Sequence, residues 1–292
     1  MLSLHTNASS LSTLAALGRT QSELTTSQTR LGSGFRVNSA MDDAAGVQIA
    51  TRLDAQSRGQ AVAMRNAQNG ISMMQTAEGA FGEVTNILQR MKDLATQSAD
   101  GTSNQKDRDS MQLEYDALGQ ELHNISYNTS FGGNKLLQGG TLASAVTYQI
   151  GAGSAETMTV DLSADMTTAD GAAAGGLGKV SAQYTAQTAL GTGTEVASQG
   201  SANAIIDDIN SALDTVGKIR AQLGAASNRL DHVFNNLSNM STNTTQARGR
   251  IMDVDYASES ANMTSKQMLL QASTAMLKQS GSMSQLTLSL LQ

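Results

Sequence analysis

Between Met74 and Ala95 the residues Met74, Ala77, Phe81, Val84, Leu88, Met91 and Ala95 follow one another at alternating intervals of three and four. Such spacing keeps one apolar line on a helix facing a partner helix, as in a coiled-coil seam. A second line runs through Ile206, Ile209, Leu213, Val216, Leu223, Ser227, Leu230, Phe234 and Leu237, with Arg220 as a polar interruption. A third and shorter one runs Met111, Tyr115, Leu118, Leu122, Ile125. Each line alone could be the buried stripe of an ordinary globular helix. Length decides otherwise. The chain contains no proline, so nothing between Asp42 and Thr96 forces a break, although Gly59, Gly70, Gly79 and Gly82 weaken the helix. A continuous helix there is about 80 Å long at ~1.5 Å per residue, longer than a compact domain is wide. Asp100-Gly101-Thr102-Ser103-Asn104 supplies the turn that lets the third line fold back, and the three pack as an antiparallel bundle.

Both chain ends carry heptad lines of their own. Leu14, Leu17, Leu24 and Leu31 share one stripe with the polar Gln21 and Gln28. At the other end Leu269, Met276, Met283 and Leu290 form one line, and Met263, Leu270, Leu277 and Leu291 form the line beside it. These tails must pair with each other or with another copy of the chain. A membrane surface is a poor partner, because Lys266 and Lys278 are the only basic residues of the last forty. No apolar run approaches the ~20 residues a membrane span needs. The first residues show neither the early basic charge nor the apolar run of a secretory signal, so an exported chain would travel by another route.

The middle differs in kind. Met158, Val160 and Leu162 alternate with Thr157, Thr159 and Asp161, and Thr147–Ile150 precede them across Gly151-Ala152-Gly153-Ser154-Ala155, which predicts a β-hairpin. From Ala164 to Gly200 the Gly-, Ala-, Thr- and Ser-rich sequence reads as exposed loops, with at most one or two further strands near Val180–Tyr184. The fold class is therefore mainly α: long heptad helices from both ends form a coiled-coil and antiparallel bundle, with a small β-hairpin inserted halfway.

Composition excludes most chemistry. There is no Cys, so no disulfide, thiolate metal site or Cys nucleophile is available, and the three histidines, His5, His123 and His232, lie far apart in sequence. No catalytic, cofactor or metal site is expected. A net charge of −6 lacks the electrostatic footprint of a nucleic-acid binder. Aromatic residues make up only 3%, so Ala, Leu, Ile, Val and 15 Met must build the core. Asp42-Asp43 reads as a turn or helix start, since adjacent helical residues point about 100° apart and no basic residue or His is near. Asp253 and Asp255 read as surface charges. Gly32-Ser33-Gly34 lacks the Lys-Ser/Thr of a phosphate loop.

The residues from Arg30 to Gly46, Arg-Leu-Gly-Ser-Gly-Phe-Arg-Val-Asn-Ser-Ala-Met-Asp-Asp-Ala-Ala-Gly, resemble the signature of bacterial flagellins. Arg65–Ser72, Gln75–Ala80 and Leu223–Leu230 extend the resemblance, which covers about residues 1–140 and 200–292 in order. Arg248–Asp255 and Leu277–Gly281 look most like the lateral flagellins used for swarming, while Ser284 and Ser280-Gly281 depart from the more widespread flagellin ending.

The resemblance implies a structural protein, not an enzyme, that self-assembles into the extracellular flagellar filament. It implies five segments: residues 1–40 and 256–292 as the inner coiled-coil core, 41–140 and 201–255 as the helical rod, and 141–200 as the solvent-exposed middle. Leu14, Leu17, Leu24, Leu31, Leu269, Leu270, Met276, Leu277, Met283, Leu290 and Leu291 would then hold the polymer core. Implied partners are further copies of the chain, a flagellar secretion chaperone, and hook-associated and cap proteins, with no cofactor. Flagellins exported unfolded through the type III apparatus need no cleaved signal. Host receptors are implied too, one at Arg90, Leu94 and Glu114 and a cytosolic one at Leu288, Leu290 and Leu291. A hook–filament junction protein shares the terminal helices and is the rival reading; the motif match along the whole chain favours the filament subunit.

Overall fold

The computed structural model describes residues 8–170, 180, 184 and 190–290, with side chains at 8–166, 180, 184 and 190–282. The order of elements is α1 (Ala8–Ser33), α2 (Ala44–Ala99), α3 (Gln105–Asn128), β1 (Ser130–Phe131), β2 (Asn134–Lys135), β3 (Val146–Gln149), β4 (Thr157–Val160), α4 (Ser163–Asp170), α5 (Gln199–Met252) and α6 (Tyr256–Leu290). The fold is mainly α with small antiparallel hairpins in the middle. It divides into two compact units, one of Met1–Ser57 with Ser241–Gln292 and one of Arg58–Met240.

The unit of Arg58–Met240 holds one contiguous core. All seven residues of the Met74–Ala95 line are buried in it, and Met111, Tyr115 and Leu122 of α3 join them. Glu78 pairs with Arg220 at 4.0 Å and Gly70 lies against Leu230, while Arg90 pairs with Glu114 and Arg108 Nε donates to the Ser98 carbonyl at 3.1 Å, so α2 runs antiparallel to both α5 and α3. The turn between α2 and α3 is closed by a capping box. The Asn104 side chain accepts the Asp107 amide hydrogen at 3.0 Å, and the Asp107 carboxylate accepts that of Asn104 at 3.2 Å.

On α5 the buried stripe is not quite the expected one. Ile209, Val216, Leu223, Leu230 and Leu237 are buried as the spacing predicts. The alternate positions are Ile205, Ala212, Ile219 and Ala226, one residue earlier than Ile206, Leu213, Arg220 and Ser227. Arg220 therefore does not interrupt the seam: Ile219 occupies that place, and Arg220 reaches Glu78 from the flank. Two Ala in the line allow the helices to approach closely. Ile206, Leu213 and Phe234 pack against the core from its edge.

The predicted hairpin is present, with β3 and β4 antiparallel in the register Val146↔Val160 to Gln149↔Thr157. Met158, Val160 and Leu162 turn into the core while Thr157, Thr159 and Asp161 stay exposed. A second hairpin, β1–β2, is turned by Gly132 and Gly133 at φ 58° and 87°. That left-handed pair makes the tight turn; this hairpin is not among the elements expected from sequence, although the adjacent glycines of Phe131-Gly132-Gly133-Asn134 are a signal for it. Val180 is helical rather than extended and Tyr184 belongs to no strand, though both are fully buried. The reason is Asp116 of α3, a buried carboxylate that must find donors. It accepts hydrogen bonds from Tyr184 Oη at 3.1 Å, Gln112 Nε2 at 2.7 Å and the Gly191 amide at 2.6 Å. This polar demand, not strand pairing, holds the Tyr184 side chain inside. Burial, together with the nearby Glu195 and Asp116 carboxylates, pushes the Tyr184 hydroxyl far above its ordinary pKa.

Candidate assembly interface

The unit of Met1–Ser57 and Ser241–Gln292 is built on α1 lying antiparallel to α6. Lys266 Nζ donates to Ser27 Oγ at 3.3 Å and pairs with Glu23 at 3.9 Å, while Arg30 pairs with Glu259 at 3.8 Å. From α1 the seam takes Leu17, Thr20, Leu24, Ser27 and Leu31, of which Leu24 and Ser27 are buried and the rest half-buried. From α6 it takes Glu259, Met263, Lys266, Leu270, Ser273 and Leu277, of which Glu259 is buried. The seam is half polar. Arg30 Nε and Glu259 Oε1 are buried in it with no hydrogen-bond partner.

Two short linkers lock beside this pair. Gly34, at φ 77°, ends α1 in a conformation that favours glycine, and a Cβ there would lie 2.9 Å from Tyr256 Oη. The Arg36 amide donates to the Met252 carbonyl at 2.6 Å and the Val254 amide to the Gly34 carbonyl at 3.0 Å, so Phe35 and Asp253 face each other as an antiparallel bridge. Asp42 and Asp43 act as turn and helix-start residues. Asp42 Oδ2 accepts the amide hydrogens of Ser39 at 2.9 Å and Asn38 at 3.1 Å, and these donors hold its carboxyl below the usual carboxylate range, Ser39 contributing most. Asp43 accepts the Gly46 amide hydrogen at 2.8 Å and opens α2. Asp255 does the same for α6 through Ala257 at 3.1 Å.

The terminal leucines divide into two sets. Leu17, Leu24 and Leu31 of α1, with Leu270 and Leu277 of α6, face the partner helix and are buried or half-buried. Leu14 of α1, with Leu269 and Met276 of α6, points away and is exposed, and so are Leu11 and Met268, which the heptad lines did not include. The side chains of Met283, Leu288 and Leu290, and residue Leu291, lie outside the described residues. Of the other expected contact residues, Arg90 and Glu114 sit together at the surface. Arg90 Nε donates to Glu114 Oε1 at 2.8 Å, and a second guanidinium nitrogen approaches the same oxygen at 2.6 Å. Leu94 is only 2% exposed and belongs to the core between α2 and its neighbours. It therefore presents no surface of its own beside them.

The long paired helices, the linker bridge and the exposed apolar faces at both ends describe a subunit rather than a catalyst. Family models for the bacterial flagellin N-terminal helical region and the bacterial flagellin C-terminal helical region match residues 4–141 and 206–291. The chain belongs to the bacterial flagellins. Flagellin D of Vibrio anguillarum is 35% identical over 380 aligned positions, covering 99% of each chain. Flagellin A of Vibrio cholerae serotype O1 is 35% identical over 379, covering all of both. Among solved structures, a Vibrio parahaemolyticus protein assigned as flagellar hook-associated superposes with a TM-score of 0.58 at 15% identity, covering 73% of this chain and all of that one. This likeness shows the fold alone. The full-length match to flagellins is what separates filament subunit from junction protein. This flagellin is accordingly a structural protein that self-assembles into the extracellular flagellar filament, and it is not an enzyme.

Proposed function

We propose that subunits of this flagellin join through the outward faces of α1 and α6, with Leu14, Leu269 and Met276 at the contact and Leu11 and Met268 beside them. The observation that supports this reading is the division of the two terminal helices into an inner line, used by their pairing, and an apolar outer line left exposed among the described residues. Residues 1–40 and 256–292 would be the inner core of the filament, 41–140 and 201–255 its rod, and 141–200 the part facing solvent. Leu17, Leu24, Leu31, Leu270 and Leu277 contribute by holding each subunit's own pair together. Met283, Leu290 and Leu291 extend the same lines toward the chain end.

Leu269→Asp with Met276→Asp tests the proposal. Both side chains are exposed, so the monomer's far-UV circular dichroism should not change, whereas sedimentable polymer should disappear because a carboxylate would be buried unpaired at each contact. A double mutant that polymerises as well as the parent refutes it.

The same exposed faces would be covered by a secretion chaperone before assembly, and the finished polymer would meet hook-associated and cap proteins at its two ends. As a ligand of host sensors, the subunit would present the Arg90–Glu114 pair to one receptor, with Leu94 acting through helix packing, and Leu288, Leu290 and Leu291 to the cytosolic one. Arg90→Ala with Glu114→Ala should leave the fold intact and abolish signalling by the first receptor; unchanged signalling removes that site. The swarming role rests on the residues of Arg248–Asp255 and Leu277–Gly281.

A further inference from the structure

The 15 methionines are sharply partitioned. Met73, Met74, Met91, Met111, Met158 and Met166 are all buried in the core of the Arg58–Met240 unit. Met41, in the turn before α2, is 97% exposed, and Met276 and Met268 on the outer side of α6 are 64% and 59% exposed. All three belong to the other unit. Met64, Met252 and Met263 are half-buried, Met240 is marginally exposed, and Met1 and the Met283 side chain lie outside the described residues. The chain has no cysteine to react first. Thioether sulfur is thus its most readily oxidised atom, and two of the accessible thioethers, Met268 and Met276, sit on the α6 face assigned above to assembly.

We infer that Met268 and Met276, on the outer side of α6, form an oxidation-sensitive site that blocks assembly of the free subunit, with the exposed Met41 oxidised in parallel. The inference rests on the proposed outer-face contact. The reactant is a two-electron oxidant such as hydrogen peroxide. A sulfur lone pair attacks one peroxide oxygen, the S–O bond forms as the O–O bond breaks, and the departing hydroxide takes the proton of the transferred oxygen to leave as water. Sulfur loses two electrons to become the sulfoxide, and the peroxide is reduced. A flexible apolar side chain becomes a polar one with a strong acceptor oxygen. Two such groups on the outer line of α6 must then be desolvated at a contact made for thioethers. The core methionines are shielded by packing, so a subunit can be oxidised at its exposed methionines without unfolding. Once assembled, the outer thioethers are covered and their oxidation slows.

Purified monomer treated briefly with hydrogen peroxide, then cleared of oxidant, provides the test. Peptide mass mapping should find oxygen at Met41, Met268 and Met276 before any of the six core methionines. The polymerised fraction should fall about tenfold at a concentration where untreated protein polymerises, and a methionine sulfoxide reductase pair should restore it. The variant Met41→Leu, Met268→Leu, Met276→Leu should polymerise equally before and after peroxide. Wild-type protein that polymerises normally while carrying sulfoxide at all three positions overturns the inference. So does a triple variant that loses assembly on oxidation as the parent does. Should the triple variant fail to polymerise before treatment, reductase repair of the parent decides alone: no recovery overturns the inference. Leu269→Asp without oxidant reports on the assembly reading separately, since its normal polymerisation would remove the outer-face contact itself.

Discussion

The core around α2 and α5 and the pair α1–α6 use the same heptad grammar and reach opposite outcomes. In the first, Phe81, Val84, Leu88, Met91, Ile209, Val216, Ile219 and Leu223 are buried inside a single chain, with α3 and the β3–β4 hairpin closing the sides. In the second, two helices meet along a seam of Leu, Met, Thr, Ser, a Lys and a Glu, and among the described residues an apolar face remains outside. A two-helix layer has one inside face, so whatever apolar residues it carries beyond that face need a third partner. Three or more elements around a line of side chains complete a core; two leave it for other copies to finish. The molecule thus keeps one unit whose core is closed within the chain and one whose burial, on the proposed contact, would be completed in the filament.

The comparison breaks most visibly at the centre of each seam. Leu88→Ala should destabilise the Arg58–Met240 unit by about 2–5 kcal/mol, a loss of transfer energy plus a cavity that close packing cannot collapse, read by chemical denaturation. Leu269→Asp should leave the same denaturation curve where it was and remove polymerisation instead. Equal effects of the two on monomer stability would erase the distinction between the units.

Substitutions at neighbouring positions of α5 sharpen its register. Ile219→Ala should cost about 2–5 kcal/mol, whereas Arg220→Ala, which only removes a 4.0 Å surface pair with Glu78, should cost about 0–1 kcal/mol. Within α1–α6, Arg30→Ala leaves the buried Glu259 carboxylate without its cation, and about 1–3 kcal/mol of that pair's stability should be lost in thermal circular dichroism. An Arg30→Ala protein melting with the parent would mean that water already solvates Glu259.

The smallest effect concerns pH. Asp42 has a depressed folded pKa, so its contribution to the linker is present above the unfolded value and is lost as pH falls through the folded one, below about pH 4. Hydrogen exchange at Asn38 and Ser39 should lose protection in that range. In Asp42→Asn the protection should be weak at every pH, with no acid transition.

Sequence spacing alone determined that the chain is helical, that its ends carry matching stripes, that the middle holds a hairpin of Thr147–Ile150 with the alternating residues from Thr157 to Leu162, and that the adjacent aspartates at 42 and 43 serve a turn or helix start. Those features are local: a 3.6-residue period, a two-residue alternation and a side-chain cap each need only a few neighbouring residues to be legible. Tertiary structure decided which residues of a broad stripe face inward. Adjacent positions on a helix are about 100° apart, so Ile219 and Arg220, or Met276 and Leu277, can each border the same apolar arc, and the direction of the partner helix selects between them. It also decided that Leu94 is core and not surface, and that Tyr184 is drawn inward by Asp116. A buried carboxylate takes its donors from wherever the chain can reach, and that reach is a property of the folded molecule, not of any window of sequence.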